Sequence, residues 1–192
     1  MVNRRLFPNR IQAEALLEDA LISNPGLWVD HSRVCARCAQ KIALKCGLDP
    51  DLSYVLGLLH DIGRKFGEQQ LGHVYNGWKY MNQLGYPQVA KVCLTHAFNV
   101  PSFHIFVGTL DIPVHQRVEL MKALAAVTYD DYDRLIQLCD CLAASNGTVN
   151  IEKRMKDVKR RYGHYPQEKW NMNLELKAYF DKKCGIDVYS FI

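Results

Sequence analysis

Four polar side chains of the sequence combine metal-binding chemistry with positions in or beside apolar segments. His60 and Asp61 end the apolar stretch LSYVLGLL, His31 follows LWVD, and Asp140 lies inside RLIQLCDCLAA. A neutral imidazole and an ionised carboxylate are good ligands for divalent cations of the Mn, Fe, Co, Ni or Zn kind. Each residue also has a simpler explanation, as a helix cap or as one member of an ion pair. Residue type alone therefore leaves both interpretations open.

Three cationic side chains lie near these residues in the sequence. Arg64 and Lys65 come shortly after His60-Asp61, and Arg134 lies six residues before Asp140. If they project towards the same face, their N–H groups could clamp phosphate oxygens. Surface salt bridges are the competing explanation for all three.

Apolar residues recur at helical spacing along nearly the whole chain, so the elements that carry these residues are predicted to be helices. Start and stop signals support this: Asp30 can cap a helix, Asp49-Pro50 opens another, and Gly47 closes one. Gly85-Tyr86-Pro87 indicates a helix stop followed by a restart. The predicted helices are 9–23, 31–46, 50–63, 70–84, 87–98, 114–127, 130–145, 150–162 and 167–183. No segment has a convincing period of two, so the prediction is an all-α chain with loops at 64–69, 99–113 and 145–149.

The charge of the chain is unevenly distributed. Residues 1–145 carry 14 Lys and Arg against 14 Asp and Glu, whereas residues 146–192 carry 10 against 6. The densest basic run, KRMKDVKRR, lacks interleaved aromatic residues and is interpreted as a solvated helix face, which makes a nucleic-acid partner unlikely. We predict one domain over 1–192, with a core at about 27–145 and a basic C-terminal helical pair at about 146–192.

Cysteine usage and the lack of long apolar runs predict the cellular setting. No run approaches the roughly 18 apolar residues of a membrane helix, and the N-terminal segment carries Glu14, Glu18 and Asp19 where a secretory signal would be apolar. Seven cysteines without an export signal suggest reduced thiols, so we expect a cytoplasmic protein with no membrane partner.

Four of these cysteines have spacings that need an explanation. Cys35 and Cys38 form a C-x-x-C motif, but it lies within a helical pattern, which argues against a redox or zinc role. Cys139 and Cys141 flank Asp140 and are interpreted as small buried apolar side chains.

The order His31, His60-Asp61, Asp140, with each motif on its own predicted helix, resembles the HD-domain superfamily of metal-dependent phosphohydrolases. HSRVCARCA resembles the first-histidine helix of that family, LGLLHDIGR its His-Asp helix, and YDRLIQLCDCLA its last-aspartate helix. The resemblance spans about residues 27–145 and implies an all-α HD-domain helical bundle.

The resemblance also implies a complete set of metal ligands. His73 and His96 fall between His-Asp and the final aspartate, where binuclear HD proteins carry the ligands of a second ion. By that resemblance one ion binds His31, His60 and Asp140, the other binds His73 and His96, and Asp61 bridges them. The implied cofactor is therefore two divalent transition-metal ions. His104, His115 and His164 match no family position.

The function implied by the resemblance is hydrolysis of a phosphate ester or phosphoanhydride, with a small nucleotide as substrate and a metal-activated water as nucleophile. Asp61, Arg64 and Arg134 are the candidate catalytic residues. The segments HDIGRK, GHVYNGW and LTHAF are most similar to small bacterial HD proteins, including the branch that cleaves diadenosine tetraphosphate symmetrically.

Two other functions remain open at this point. The same six ligands are similar to those of mixed-valent di-iron oxygenases of the superfamily, and Tyr75, Lys79 and Tyr80 near His73 are too little to separate the two chemistries. The other is a regulatory domain that binds a nucleotide without turnover. The sequence makes no prediction of oligomeric state.

Overall fold

The described part of the protein, residues 6–192 of a computed structural model, is built almost entirely from helices. Residues 1–5 lie outside this described range. They are the start of the predicted domain and of the N-terminal segment in which the sequence predicts no secretory signal. The α-helices within this range are α1 Arg10–Ser23, α2 Trp28–Cys46, α3 Pro50–Leu59, α4 Leu71–Gln83, α5 Pro87–Thr95, α6 Val114–Ala126, α7 Asp131–Leu142, α8 Ile151–Tyr162 and α9 Gln167–Cys184. The prediction of an all-α fold is confirmed.

Short elements fill several of the predicted loops. Turns of 3-10 helix cover Ile62–Phe66, Phe103–Ile105 and Val188–Ser190. A two-residue strand, β1 Ala143–Ala144, pairs antiparallel with β2 Gly147–Thr148. This hairpin, which the helical reading of 130–145 missed, ends α7 and returns the chain towards α8.

The start of α2 differs from the prediction. The helix begins at Trp28, with Leu27 at its N-cap position and no side-chain cap, so Asp30 lies inside the first turn. His31 therefore lies on the first turn of the helix. The closing Gly47 is as predicted, because it adopts a left-handed conformation with φ of 76°.

The end of α3 is earlier than the predicted residue 63. The α-helix stops at Leu59, His60 takes the C-cap position, and Asp61 opens the 3-10 turn. Gly63 permits this turn to lie against α4, because a Cβ atom there would be 1.9 Å from the backbone oxygen of His73. The close approach places Asp61 next to α4, the helix that carries His73.

A glycine also permits the closest helix pair. A Cβ atom at Gly57 would lie 2.8 Å from the Cα of Ala36, so α3 packs on α2 at a distance that no other residue allows. The pairing brings His60, at the end of α3, towards His31, at the start of α2.

The core unites the helices that carry the polar residues with the C-terminal pair. Leu17, Ile42, Leu58, Leu138 and Phe180 are all fully buried in one apolar cluster. They come from α1, α2, α3, α7 and α9 respectively. A smaller cluster beneath α4, α5 and α6 contains Leu71, Leu94 and Leu120. Among the described residues, no helix has the length and apolar character needed to cross a bilayer.

Candidate metal centre

Six His and Asp side chains converge where the ends of five helices meet. They form two groups of three, and within each group the potential ligand atoms all lie within 4.8 Å of one another. The first group is His31, His60 and Asp140, and the second is Asp61, His73 and His96. The structure therefore brings together all six residues that the sequence singled out.

In the first group, two histidines face one carboxylate oxygen. The Nε2 atom of His31 lies 2.9 Å from Oδ1 of Asp140, and the Nε2 atom of His60 lies 3.7 Å from the same oxygen. The His60 nitrogen is completely buried and has no hydrogen-bond partner among the described residues. A buried nitrogen without a partner is unfavourable, and a cation between these three atoms would satisfy it.

In the second group, two imidazole nitrogens face each other. The Nε2 atoms of His73 and His96 are 3.2 Å apart, and Oδ1 of Asp61 lies 3.1 Å from the first and 3.4 Å from the second. All three residues are at least nine-tenths buried. The site is thus a compact set of nitrogen and oxygen donors of the type that transition metals bind.

Backbone carbonyls orient three of the rings. Nδ1 of His60 lies 2.7 Å from the oxygen of Gly57, Nδ1 of His96 lies 2.9 Å from that of Cys93, and Nδ1 of His73 lies 3.3 Å from that of Gln69. A carbonyl only accepts, so each Nδ1 is the nitrogen that donates its proton. In the neutral rings the Nε2 lone pairs then point into the cluster, as they do in histidines that bind metals.

Asp61 lies between the two groups. Its Oδ1 atom faces His73 and His96, while its Oδ2 atom lies 3.9 Å from Nε2 of His60. Oδ2 also accepts a 2.6 Å hydrogen bond from Nε of Arg64. The two oxygens of one carboxylate thus point to different groups, which is the placement a bridging ligand requires.

The electrostatics of the site favour the ionised state of both carboxylates. Burial raises the pKa of Asp61, but the charge of Arg64 and the nearby His73 and His60 side chains hold it well below its usual value. Burial likewise raises the pKa of Asp140, whereas the hydrogen bond from His31 and the nearby His60 side chain bring it well below the usual range. Both groups are therefore available as charged ligands at neutral pH.

His73 and His60, which both lie near Asp61, differ in protonation. Burial, the charge of Arg64 and nearby His96 lower the pKa of His73 to about 4 against the pull of Asp61, so this ring is neutral. Burial also lowers the pKa of His60, but Cys35, Asp61 and Asp140 outweigh it and hold the value well above 6.5. A cation binding to His60 would displace that proton.

A cavity of about 450 Å³ opens beside the cluster. The Asp140 side chain is 32% exposed and lies at the cavity wall. The cavity is lined by aromatic side chains as well as by polar ones. Its aromatic residues are Trp28, Phe106, Tyr162 and Tyr165, and its basic residues are Arg64, Arg154, Arg161 and Lys169.

The structure places the three predicted cationic residues differently. Arg64 lines the cavity and contacts Asp61, as expected. The placement of Arg134 near the metal face is wrong: it lies 3.5 Å from Asp131, its guanidinium is 6.0 Å from the ring of Tyr179, and it does not line the cavity. Six residues of helix rotate by about 240°, so Arg134 and Asp140 point to different sides of α7. Lys65 pairs with Asp19 on the protein surface.

Arg154 and Lys169 line the cavity, and the sequence reading missed both. The basic run at 153–161 is mostly a solvated face, as predicted, with Lys153 and Lys159 exposed. Arg154 and Arg161, however, are seven residues apart and share the face that also presents Met155 to the cavity. The seven-residue spacing of Arg154 and Arg161, with the apolar Met155 between them, is the sequence signal that could have revealed this cavity-facing side of α8.

The cysteines and the unassigned histidines are placed largely as expected. Cys35 and Cys38 are buried within α2, and burial raises the pKa of Cys35 to about 11. Cys139 is fully buried, but Cys141 lines the cavity, so the prediction that it is simply buried is wrong. The three histidines that match no family position are exposed: His104, His115 and His164.

Comparison with known proteins agrees with this architecture. The profile of a family described as HD domain matches residues 28–145. No curated protein matches the sequence.

Among solved structures, the HD domain of the L. monocytogenes phosphodiesterase PgpH in complex with cyclic-di-AMP matches with a TM-score of 0.50. The two chains are 18% identical, and the match covers 88% of this chain and 96% of that one. A second PgpH HD domain structure gives 0.48 at 16% identity, with 87% and 97% covered. At 18% identity the first match shows the fold alone, and the diadenosine tetraphosphate branch stays a prediction.

Proposed function

The chain belongs to the HD-domain family, and from that premise we propose that it is a metal-dependent phosphohydrolase with two divalent transition-metal ions. The proposed substrate is a small nucleotide or a related phosphate ester. The residues that would hold one ion are His31, His60 and Asp140, and those for the other are His73 and His96, with Asp61 shared between the two.

The observation that carries the proposal is the placement of Asp61. Its Oδ1 atom lies within 3.4 Å of two histidine nitrogens of one group, and its Oδ2 atom faces the other group. A buried carboxylate placed only for fold stability needs one cationic partner, and Arg64 already supplies it. Cations between these atoms explain why the potential ligand atoms of all six residues lie so close together.

When bound, two divalent ions supply a lowered pKa for a shared water and positive charge for a phosphoryl group. The protein contributes the two carboxylates that offset the charge of the ions and the carbonyls that keep the Nε2 atoms directed inward. Arg64 orients Asp61 and also lines the cavity, where its remaining N–H groups are available to a phosphate oxygen.

The cavity supports a nucleotide as the substrate. Its volume of about 450 Å³ is within the range of small-molecule sites. Trp28 and Tyr165 offer aromatic surfaces on which a base can stack. The related PgpH HD domain was solved with cyclic-di-AMP, a nucleotide ligand on the same fold.

No contact in the structure favours the oxygenase alternative. The hydroxyl of Tyr75 donates to Glu119 at 2.6 Å, and Nζ of Lys79 donates to the same carboxylate at 2.8 Å. Tyr80 packs against Phe66. None of the three lines the cavity, so the residues that sequence reasoning considered for holding an oxygenase substrate lie elsewhere.

The proposal is tested by measuring metal content and phosphate release together. Protein purified without chelator and reconstituted with Mn or Fe should hold close to two ions per chain by elemental analysis. A screen of mononucleotides, dinucleoside polyphosphates and small phosphate esters should then find one that releases phosphate or is cleaved. Metal content near zero after reconstitution would overturn the site, and O2 consumption with Fe(II) but no cleavage would replace the hydrolase with an oxygenase.

A matched pair of variants keeps the test specific. Asp61→Asn should lose metal and turnover because the amide cannot supply two anionic oxygens. Asp51→Asn removes the same charge from an exposed position in the first turn of α3 and should leave both unchanged. Circular dichroism of the two variants should match that of the wild type. Nucleotide binding by the wild type without turnover of any substrate would instead support a regulatory domain.

A further inference from the structure

One wall of the cavity comes from the C-terminal helices. Arg154 and Arg161 belong to α8 and Lys169 to α9, and all three line the cavity. These helices lie beyond residues 28–145, the segment that matches the HD family. Together with Arg64 they give the cavity four basic side chains, whereas its only carboxylates among the described residues are Asp61 and Asp140.

Lys169 is a cation with too few partners. Its Nζ atom donates one hydrogen bond, of 2.6 Å, to the backbone oxygen of Ala97, next to His96. No carboxylate of the described chain lies within 4.0 Å of it, although an ammonium group has three donors. Burial lowers its pKa to about 8, and the nearby Asp140 opposes this shift only in part.

Arg154 is in the same situation. Its side chain is half-buried, and within residues 6–192 it makes neither an ion pair nor a hydrogen bond. A guanidinium carries five N–H donors in a planar arrangement that suits phosphate oxygens. Two neighbours in α8 behave differently, since Arg160, on the exposed face, and Arg161, at the cavity rim, both bond Asp157.

Both cations share the cavity with the metal centre. Lys169 bonds the backbone oxygen of Ala97, the residue that follows His96. Arg154 lines the same cavity, together with Asp140 and with Cys141, which directly follows Asp140 in α7.

We propose that Arg154 and Lys169 form an anion subsite that binds a second phosphoryl group of the substrate while the first lies at the metal centre. Arg161, at the cavity rim, extends the same positive surface. The inference rests on the proposed function for the reaction and adds the substrate class: a small molecule with two or more phosphoryl groups, in preference to a monoester.

The experiment compares two probes that differ by one phosphoryl group, AMP and adenosine 3′,5′-bisphosphate. Their dissociation constants are measured by calorimetry on metal-reconstituted protein. In the wild type the bisphosphate should bind about 10-fold or more tightly than AMP, the gain expected from one charged hydrogen-bonded contact. Equal affinities, or no binding of either probe, would overturn the subsite.

Variants assign the preference to the named residues. Arg154→Met and Lys169→Met should each reduce the ratio of the two affinities several-fold, and the double variant should bring it near one. Lys159→Met removes a charge from the exposed face of the same helix and should keep the wild-type ratio. Metal content and melting temperature verify folding, and Arg154→Gln serves as the second variant at that position. An unchanged ratio in folded Arg154→Met and Lys169→Met proteins contradicts the proposal.

This measurement also separates the two levels of inference. If the wild type prefers the bisphosphate in an Arg154- and Lys169-dependent way but cleaves no phosphate bond, the subsite stands and the hydrolase proposal fails. If phosphate is released while the variants keep the wild-type ratio, the hydrolase stands and the subsite is wrong.

Discussion

The two ends of α7 each carry an aspartate, and the surroundings of these residues differ. Asp133, near the start of the helix, is 1% exposed. Its carboxylate lies 2.6 Å from Nζ of Lys91 and accepts hydrogen bonds from Thr95 Oγ1 and the Asp130 backbone N–H, each of 2.8 Å. Every partner is part of the protein, so this end of the helix needs no ligand.

Asp140, seven residues later, is less buried and has no lysine or arginine within 4.0 Å among the described residues. Its partners are the imidazoles of His31 and His60, which converge with a second carboxylate, Asp61, on the same small volume. Lys169 is the cation that lies in the cavity near this end of α7, and its Nζ atom donates a hydrogen bond to the backbone oxygen of Ala97.

The difference shows that burial alone does not identify a functional aspartate. Asp133 is the more deeply buried of the two, yet its charge is compensated within the fold. At the Asp140 end the partners of the carboxylate are imidazoles, which can give up a proton to a metal ion, and Lys169 has no carboxylate within 4.0 Å among the described residues, so cations and phosphates can bind there. The following predictions test this contrast, beginning with the largest effect.

Replacing Asp140 should affect catalysis far more than replacing Asp133. We expect Asp140→Ala to lower turnover by about 10³-fold, because the first group of ligands loses its only carboxylate and with it several kcal/mol of metal-dependent stabilisation. Asp133→Ala, assayed below its melting temperature, should retain metal and turnover. Kinetics and elemental analysis of the two variants decide this, and a similar loss of turnover in both would refute the contrast.

Stability should respond in the opposite order. Asp133→Ala should lower the free energy of unfolding by about 2 kcal/mol, since the buried Thr95 loses its hydrogen-bond partner and Lys91 keeps only one of its two carboxylates, Asp130. Urea denaturation of metal-free protein measures the change. The comparison fails if Asp140→Ala destabilises the metal-free protein more than Asp133→Ala does.

The stabilisation of the folded protein by metal should depend on Asp140 and not on Asp133. A ligand that binds only the folded state at 100 times its dissociation constant adds about 2.7 kcal/mol to the free energy of unfolding. Wild type and Asp133→Ala should therefore melt at a lower temperature in chelator, and Asp140→Ala should show a much smaller shift. A wild-type melting curve that chelator leaves unchanged, in matched buffer, would indicate that Asp140 is held by ion pairs instead.

The smallest effect concerns the two lysines. Folding lowers the pKa of Lys169 from 10.5 to about 8, so its charge destabilises the folded state fully below pH 8, and the penalty disappears above 10.5. Lys169→Met should raise the melting temperature at pH 7 by about 2 to 4 °C, and the gain should shrink as the pH approaches 10. Burial lowers the pKa of Lys91, but the hydrogen bonds that it donates to Asp130 and Asp133 outweigh this and raise the pKa, so Lys91→Met should lower the melting temperature. Melting curves of both variants between pH 7 and 10 test the opposite signs, and a destabilised Lys169→Met protein would contradict them.

The sequence was sufficient for the fold class and for the six residues of the centre. Helical periodicity and cap signals are local properties, and they located most helices to within a few residues, with Asp49-Pro50 and Gly85-Tyr86-Pro87 marking observed boundaries. The order of His31, His60-Asp61 and Asp140 resembles that of the HD family, and this resemblance pointed to the six residues that the structure brings together. Such information is present along the chain without knowledge of any contact.

Other features depended on which helices pack together. Position along α7 did not reveal that Arg134 faces Tyr179, or that Lys91 of α5 neutralises Asp133. The basic run of α8 resembled a solvated face, because a cavity-lining arginine such as Arg154 differs from an exposed one only through the helix opposite it. Periodicity shows which residues share one side of a helix, but the partner of that side comes from contacts between distant parts of the chain. For this reason the sequence by itself determined the helices and the six candidate ligand residues. Only the tertiary structure decided which charged side chains pair within the protein and which ones face the cavity, where a substrate can bind them.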